Sequence, residues 1–244
     1  MPWRMNELSA KTLTAIESAA KERPAVRAAH FLLKGMLKPY GDDPALTYRY
    51  EHSLRAASHG VEIARGEGWR VEPLLIACLL HDVGYPECRT AADFSHHQEI
   101  SARIAALFLE KIGYDEKTAK TICRAIQLHN LWEDVPGDVS PFELSVRDAD
   151  DLDRFDVLRT YRTANDILGS AFICDRSARR IMEDCQAQLR KIDEDDMHVC
   201  ATHTAQRLWQ KQIERRREYY MDLIGQMMTT FQMEANLSFV IEIT

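Results

Sequence analysis

With 244 residues and 45% hydrophobic residues, the chain can hold one large domain or two small ones around a real core, so folding requires no disulfide staple. A formal charge of −7 argues against broad nucleic-acid binding, and no segment approaches the run of about eighteen apolar residues that spans a membrane. Residues 1–25 lack the apolar stretch of a signal peptide, and Cys78, Cys88, Cys123, Cys174, Cys185 and Cys200 form no C-x-x-C pair, so a cytoplasmic protein with reduced thiols is expected.

Ten glycines and eight prolines punctuate long 3.6-residue patterns, clustering at GDDP (41–44), GEGW (66–69), VGYP (83–86) and DVPGDVSP (134–141). The periodicity predicts helices over 7–21, 25–38, 46–65, 71–82, 95–112, 115–130, 140–167, 170–191 and 196–233, an all-α chain in which only LSFVIEIT at the C-terminus is β-prone. The acidic stretch KIDEDDM (191–197) marks either a break before a C-terminal hairpin or a helix start with Asp195 or Asp196 as N-cap. The basic run KQIERRRE (211–218) lies among polar positions and is expected to be a solvated helix face. No internal repeat and no Gly-rich phosphate loop is present.

The histidines carry the chemistry. His81 follows Leu74, Ala77 and Cys78 at helical spacing, so its imidazole lies at the end of a buried stripe. His97 shares a face with Ile100, Ile104, Leu107 and Phe108, His129 with Ile122, Ala125 and Ile126, and His52 with Tyr48, Ala56 and Ile63. One inward histidine is ordinarily a hydrogen-bonded core residue; four need a shared explanation, and a divalent cation satisfies several buried imidazoles at once. Carboxylates stand nearby at Asp82 and at Asp148, Asp150 and Asp151. A mixed His and carboxylate set suits Fe, Mn, Co, Ni or Zn better than a calcium cage.

The order His52, His81-Asp82, then Asp150 in the context Ala149-Asp150-Asp151-Leu152 resembles the H...HD...D signature of the HD superfamily of metal-dependent phosphohydrolases. HHQEISARIA, with His97, and AIQLHN, with His129, resemble the subgroup with extra histidines. The resemblance spans residues from about 48 to 165. It implies an HD-domain helical bundle with additional helices, organised as N-terminal helices over 1–45, the metal-binding domain over 46–167 and a C-terminal helical extension over 168–244 in the same globular unit.

It implies one or two ions, the first held by His52, His81, Asp82 and Asp150, the second by His97 and His129 with Asp82 bridging. The implied activity is hydrolysis of a phosphoester in a small nucleotide or related metabolite by metal-activated water. Two departures stand out. Tyr85 occupies the position of a family lysine, and SHHQEISAR lacks the continuation of the HD-GYP cyclic-dinucleotide motif.

Arg55 and Arg154, one turn beyond His52 and Asp150, are candidates to contact substrate oxygens, or else surface arginines pairing with Glu51 or Asp151. His59 either lines the pocket or is a satisfied structural histidine, and Tyr85 belongs to the pocket edge. His96 is a candidate for supporting the centre from outside, while His30, His198 and His203 fall beyond the motif. Trp132 and the loop after His129 are candidates for a pocket rim or for simple packing. A di-iron oxygenase resembling myo-inositol oxygenase, and a non-catalytic nucleotide-binding module, are the competing readings. The expected partners are a phosphorylated small molecule and a second copy in a homodimer, with neither nucleic acid nor membrane.

Overall fold

The computed structural model describes residues 8–22, 24–38, 43–131, 136–168 and 177–243, with 168 and 238–243 described by backbone alone. Among these residues eleven α-helices and one short 3-10 turn occur and no strand, as the periodicity predicts. None of the helices is long and apolar enough to cross a membrane. The chain divides into two compact units, Met1–Asp153 with Cys200–Ala205, and Arg154–Val199 with Gln206–Thr244.

The first unit contains α1 (Ala10–Ala19), α2 (Ala25–Leu37), α3 (Pro44–Gly66), α4 (Val71–Leu80), the 3-10 turn Tyr85–Glu87, α5 (Ala91–Ser95), α6 (His97–Lys111), α7 (Glu116–Leu128) and α8 (Pro141–Arg154). Its centre is α4, VEPLLIACLL, in which Leu74, Ile76, Ala77, Cys78, Leu79 and Leu80 are all buried. A helix apolar on every side must be enclosed, and α2, α3, α6 and α7 all pack on it. Burial of side chains such as Leu74, Ile76 and Leu80 contributes roughly 1.5–3 kcal/mol each.

Local chemistry sets the helix ends. Asp43 caps α3 by accepting from the Ala45 and Leu46 N–H groups, with Pro44 at the first helical position. At the other end Gly68 takes φ +71°, and the Trp69 and Gly68 N–H groups close back onto the Ala64 and Arg65 carbonyls. Gly113, at φ +65°, ends α6 in the same way. Ser140 and Glu143 cap α8 reciprocally, side chain to backbone in both directions.

The second unit contains α9 (Val157–Leu168), α10 (Ala178–Asp196) and α11 (His203–Ile243). Three expectations change here. The helix expected over 140–167 is broken between α8 and α9, where the Asp156 carbonyl accepts from the N–H groups of Arg159 and Thr160 and starts a new helix. The acidic stretch 191–197 starts no helix; it forms the last turns of α10, which stops at Asp196 with Met197 as C-cap, so the break expected here falls at its end, before α11. Acidic residues oppose the dipole at a helix C-terminus, and α11 supplies the compensation, with Arg216 on Asp195 at 3.0 Å and Arg217 on Asp193 at 2.6 Å. The basic run is therefore not merely a solvated face, since Arg216 is buried. Finally, LSFVIEIT is helical as far as Ile243 rather than extended. Residues 170–176 of the helix expected over 170–191 lie outside the described residues, and α10 starts at Ala178.

Two glycines mark close approaches that position the site. A Cβ on Gly60 of α3 would lie 2.6 Å from the Cys78 Sγ of α4, and one on Gly84 would lie 2.7 Å from the Ser101 backbone nitrogen of α6. Gly60→Ala is expected to destabilise by about 1–3 kcal/mol through overpacking, offset by up to about 1 kcal/mol of helix propensity. Adding Cys78→Ala should recover most of the loss. Gly84→Ala should cost a similar amount but should not be rescued by Ser101→Ala, because the obstructing atom is backbone. Urea midpoints of the single and double variants measure both cycles, and additive losses at Gly60 and Cys78 would refute the steric account.

Candidate metal centre

Five segments deliver six polar side chains to one buried place. His52 comes from the middle of α3, His81 and Asp82 from the end of α4, His97 from the start of α6, His129 from the end of α7 and Asp150 from α8. All six are buried. The amphipathic spacing that points each histidine inward also packs its helix, so the site and the core share one set of faces.

The Nδ1 atoms are fixed first. His81 Nδ1 donates to the Cys78 carbonyl at 2.7 Å, His97 Nδ1 to the Phe94 carbonyl at 2.9 Å and His129 Nδ1 to the Ile126 carbonyl at 2.7 Å. A carbonyl only accepts, so Nδ1 carries the proton in each ring and Nε2 faces the centre. His52 Nδ1 donates instead to Asp153 at 2.6 Å, and Asp153 also takes a two-pronged bond from Arg55, Nε at 2.6 Å and Nη2 at 3.2 Å.

The Nε2 atoms then converge. His97 and His129 Nε2 are 3.2 Å apart, and the Asp82 Oδ1 lies 3.2 Å from the former and 3.7 Å from the latter. His52 and His81 Nε2 are 3.3 Å apart, with Asp150 Oδ1 at 2.9 Å and 4.0 Å and Asp82 Oδ2 at 3.8 Å and 3.5 Å, respectively. His52, His81 and Asp150 form one group of potential ligand atoms within 4.8 Å of one another, and His81, Asp82 and His129 form a second. With each Nδ1 bonded outward, the His97 and His129 Nε2 atoms face each other at 3.2 Å beside a carboxylate. Such an arrangement calls for a shared cation, and nitrogen with carboxylate oxygen is a donor set suited to a first-row divalent metal.

The pattern H...HD...D now has its geometry, and the HD domain family matches residues 49–158. Those residues are an HD domain. A solved structure similar to it is that of a predicted HD superfamily hydrolase from an uncultured Thermotogales bacterium, with 21% identity and a TM-score of 0.58 over 86% of this chain and 98% of that one. At that identity the likeness establishes the fold. No curated protein matches the sequence.

Within the HD domain the remaining sequence candidates separate. Of the three nearby aspartates, Asp150 faces the histidines, whereas Asp148 accepts from the Ala201 N–H at 2.7 Å and is pushed up to about 6 by burial. Arg55 is turned to Asp153, which it grips with two nitrogens. Arg154 is the exposed last residue of α8. His59 is half-buried two turns beyond His52 on α3, and His96 is an exposed residue beside Glu99. Tyr85 is half-buried, with its ring 4.6 Å from that of His97. Trp132 lies outside the described residues.

Two participants were not anticipated. Arg49 donates to Asp82 Oδ2 at 2.9 Å and lies 4.0 Å over the Tyr85 ring. Its position three residues before His52 puts it on the same helix face, a signal present in YRYEHS. Asp153 stands three residues after Asp150 and is legible by the same rule, but only once α8 is known to run along α3's histidine. Tyr48 also stacks on His52, rings 5.7 Å apart and 4° from parallel, while remaining largely exposed.

Electrostatics follow from these contacts. Burial opposes a charged imidazole at His52, but the hydrogen bonds to Asp150 and Asp153 prevail and raise its pKa to about 9. At His81 burial dominates and lowers the pKa to about 4. Burial likewise opposes charge on Asp82, yet the imidazoles of His81, His129 and His97 and the Arg49 guanidinium hold its carboxyl well below the usual range. Asp150, also working against burial, is held at about 2, chiefly by His52.

The raised value at His52 has a signed consequence for protein stripped of divalent cations. A folded-state pKa of about 9 against an ordinary 6.5 stabilises fully below about pH 6.5 and is lost as pH rises through about 9. The expected loss is about 3 kcal/mol, read as falling urea midpoints between these pH values. Asp153→Asn should flatten the slope, and an equally steep slope in that variant would contradict the assignment to His52.

Proposed function

We propose that the protein is a metal-dependent phosphohydrolase that cleaves a phosphoester of a small nucleotide or related metabolite. The observation that carries this reading is the convergence of His97 Nε2, His129 Nε2 and Asp82 Oδ1 as three acceptors within 3.7 Å, repeated on the other side by His52, His81 and Asp150 around Asp82 Oδ2. His52, His81, Asp82 and Asp150 would hold one divalent cation, His97 and His129 a second, with Asp82 shared. Bound there, such a cation supplies Lewis acidity and brings the pKa of water from about 16 toward about 7.

The chain's own residues do the rest. Asp153 holds the His52 ring through Nδ1, and Arg55 holds Asp153, so that the imidazole keeps one orientation. Arg49 bonds Asp82 through one nitrogen and is part-exposed, which suits its guanidinium to a phosphoryl oxygen arriving at the centre. Tyr85 supports that guanidinium from below. Positioning and charge neutralisation of this kind provide most of the catalysis in phosphoryl transfer.

A second reading, an oxygenase with two irons, is favoured by one feature, the division of the Asp82 oxygens between two histidine pairs. The readings part on product: divalent-cation-dependent phosphate release supports hydrolysis, whereas oxygen uptake that depends on Fe(II), with no ester cleaved, supports the oxygenase.

Asp82→Ala is expected to abolish both phosphate release and Mn2+ binding in equilibrium dialysis while keeping the helical circular dichroism. His129→Ala should lower the bound Mn2+ from two equivalents to one. Asp153→Asn, acting through His52, should weaken Mn2+ binding by about 10–100-fold. Full activity in Asp82→Ala would sink the site assignment.

A further inference from the structure

Helix α1 precedes the matched HD domain, yet it is fastened to the segment that follows His81-Asp82. Ser9 is the N-cap of α1, its hydroxyl accepting from the Thr12 N–H. The same hydroxyl donates to the Glu87 Oε1 at 2.5 Å, the Ser9 backbone N–H points at both Glu87 oxygens at 3.3 and 3.4 Å, and the Thr12 hydroxyl donates to Oε1 as well. One carboxylate thus gathers three donors at the positive end of a helix, where negative charge is favoured.

Glu87 ends the 3-10 turn that Tyr85 begins. The other end of the segment is also pinned, because the Gly84 N–H donates to the Ser101 hydroxyl at 2.9 Å and Gly84 has no room for a Cβ. Between the two anchors Tyr85 has its ring 4.6 Å from His97 and 4.0 Å beneath the Arg49 guanidinium, which reaches Asp82. Tyr85 thus touches the candidate metal centre, with Phe94 on another side, while the Glu87 carboxylate is bonded to α1.

We infer that Glu87 is a positioning residue: it straps the Tyr85 turn to the N-terminus of α1 and thereby sets Tyr85 and Arg49 at the rim where substrate enters. The strap lies outside the metal-holding set, so it acts on substrate binding ahead of the chemical step. The inference rests on the phosphohydrolase reading above.

A double-variant cycle tests it on the full chain, with Mn2+ and p-nitrophenyl phosphate as probes. Glu87→Gln, which keeps the shape and removes the charge, is expected to raise KM about five- to tenfold while changing kcat less than about twofold. In a Tyr85→Ala background the same substitution should leave KM where Tyr85→Ala alone puts it, because the strap reaches Arg49 only through the Tyr85 ring. Ser9→Ala should reproduce a smaller KM effect, and Mn2+ stoichiometry should stay that of the wild type. If Glu87→Gln lowers the urea midpoint but leaves KM unchanged, the clamp is only structural and the inference falls. An equal KM effect with and without Tyr85 would overturn it too. If the wild-type protein neither binds Mn2+ nor releases phosphate, the phosphohydrolase reading fails and takes the inference with it, an outcome distinct from an active wild type indifferent to Glu87.

Discussion

Each imidazole of the centre gives its Nδ1 proton to a fixed acceptor outside it, and this constraint leaves four Nε2 atoms facing inward. Three of the acceptors are carbonyls three residues upstream, and two of those belong to the last turns of α4 and α7. A helix leaves its final carbonyls without an N–H from further along the chain. His81 and His129 are themselves the C-caps of these helices, so the ending of the helix and the aiming of the ring are one structural event. The negative ends of α4 and α7 therefore point toward the same place, which favours positive charge there.

The location of that charge explains why the surrounding bundle is so tightly specified. α4 is wholly apolar up to Leu80 and then presents His81 and Asp82, both about 1% exposed. A carboxylate so enclosed is tolerated only when its oxygens are matched by positive or donating partners. Asp82 Oδ2 has Arg49 at 2.9 Å, while Oδ1 faces His97 at 3.2 Å. The two faces of one side chain thereby tie α3 to α6 through the end of α4. The close approaches at Gly60 and Gly84 serve the same geometry, since they let α3 and α6 come within reach of that end.

Much of this could be read from the sequence because burial and periodicity report on the same thing. The four inward histidines followed from 3.6-residue spacing, and all four are buried. The singling out of Asp150 from its neighbours came from the HD resemblance, not from periodicity. Asp148, Asp150 and Asp151 lie on one short stretch of α8 and are all buried, so hydrophobic pattern alone does not separate them. What escaped were features decided by pairing between distant segments. The basic run of α11 read as a solvated face because the acidic partners of Arg216 and Arg217, at the end of α10, stand some twenty residues away. The interruption between α8 and α9 escaped because residues with helical periodicity continue on both sides of it. The strap from Ser9 and Thr12 to Glu87 spans more than seventy residues and has no local signature.

The arginines show most clearly where spacing stops being informative. Arg49 and Arg55 stand three residues before and after His52, equivalent positions as far as a helix is concerned. What separates them is the carboxylate that each meets. Asp153, brought by α8, takes both the Nε and Nη2 of Arg55 and is itself held against His52, so that guanidinium is committed to orienting the ring. Asp82 takes a single nitrogen of Arg49, whose guanidinium lies over the Tyr85 ring. Two residues of one type on one helix thus come to different duties, one supporting a histidine from behind and the other holding the Asp82 carboxylate against the Tyr85 turn. The choice is made by the register of α8 against α3, a property of the fold that no stretch of α3 contains.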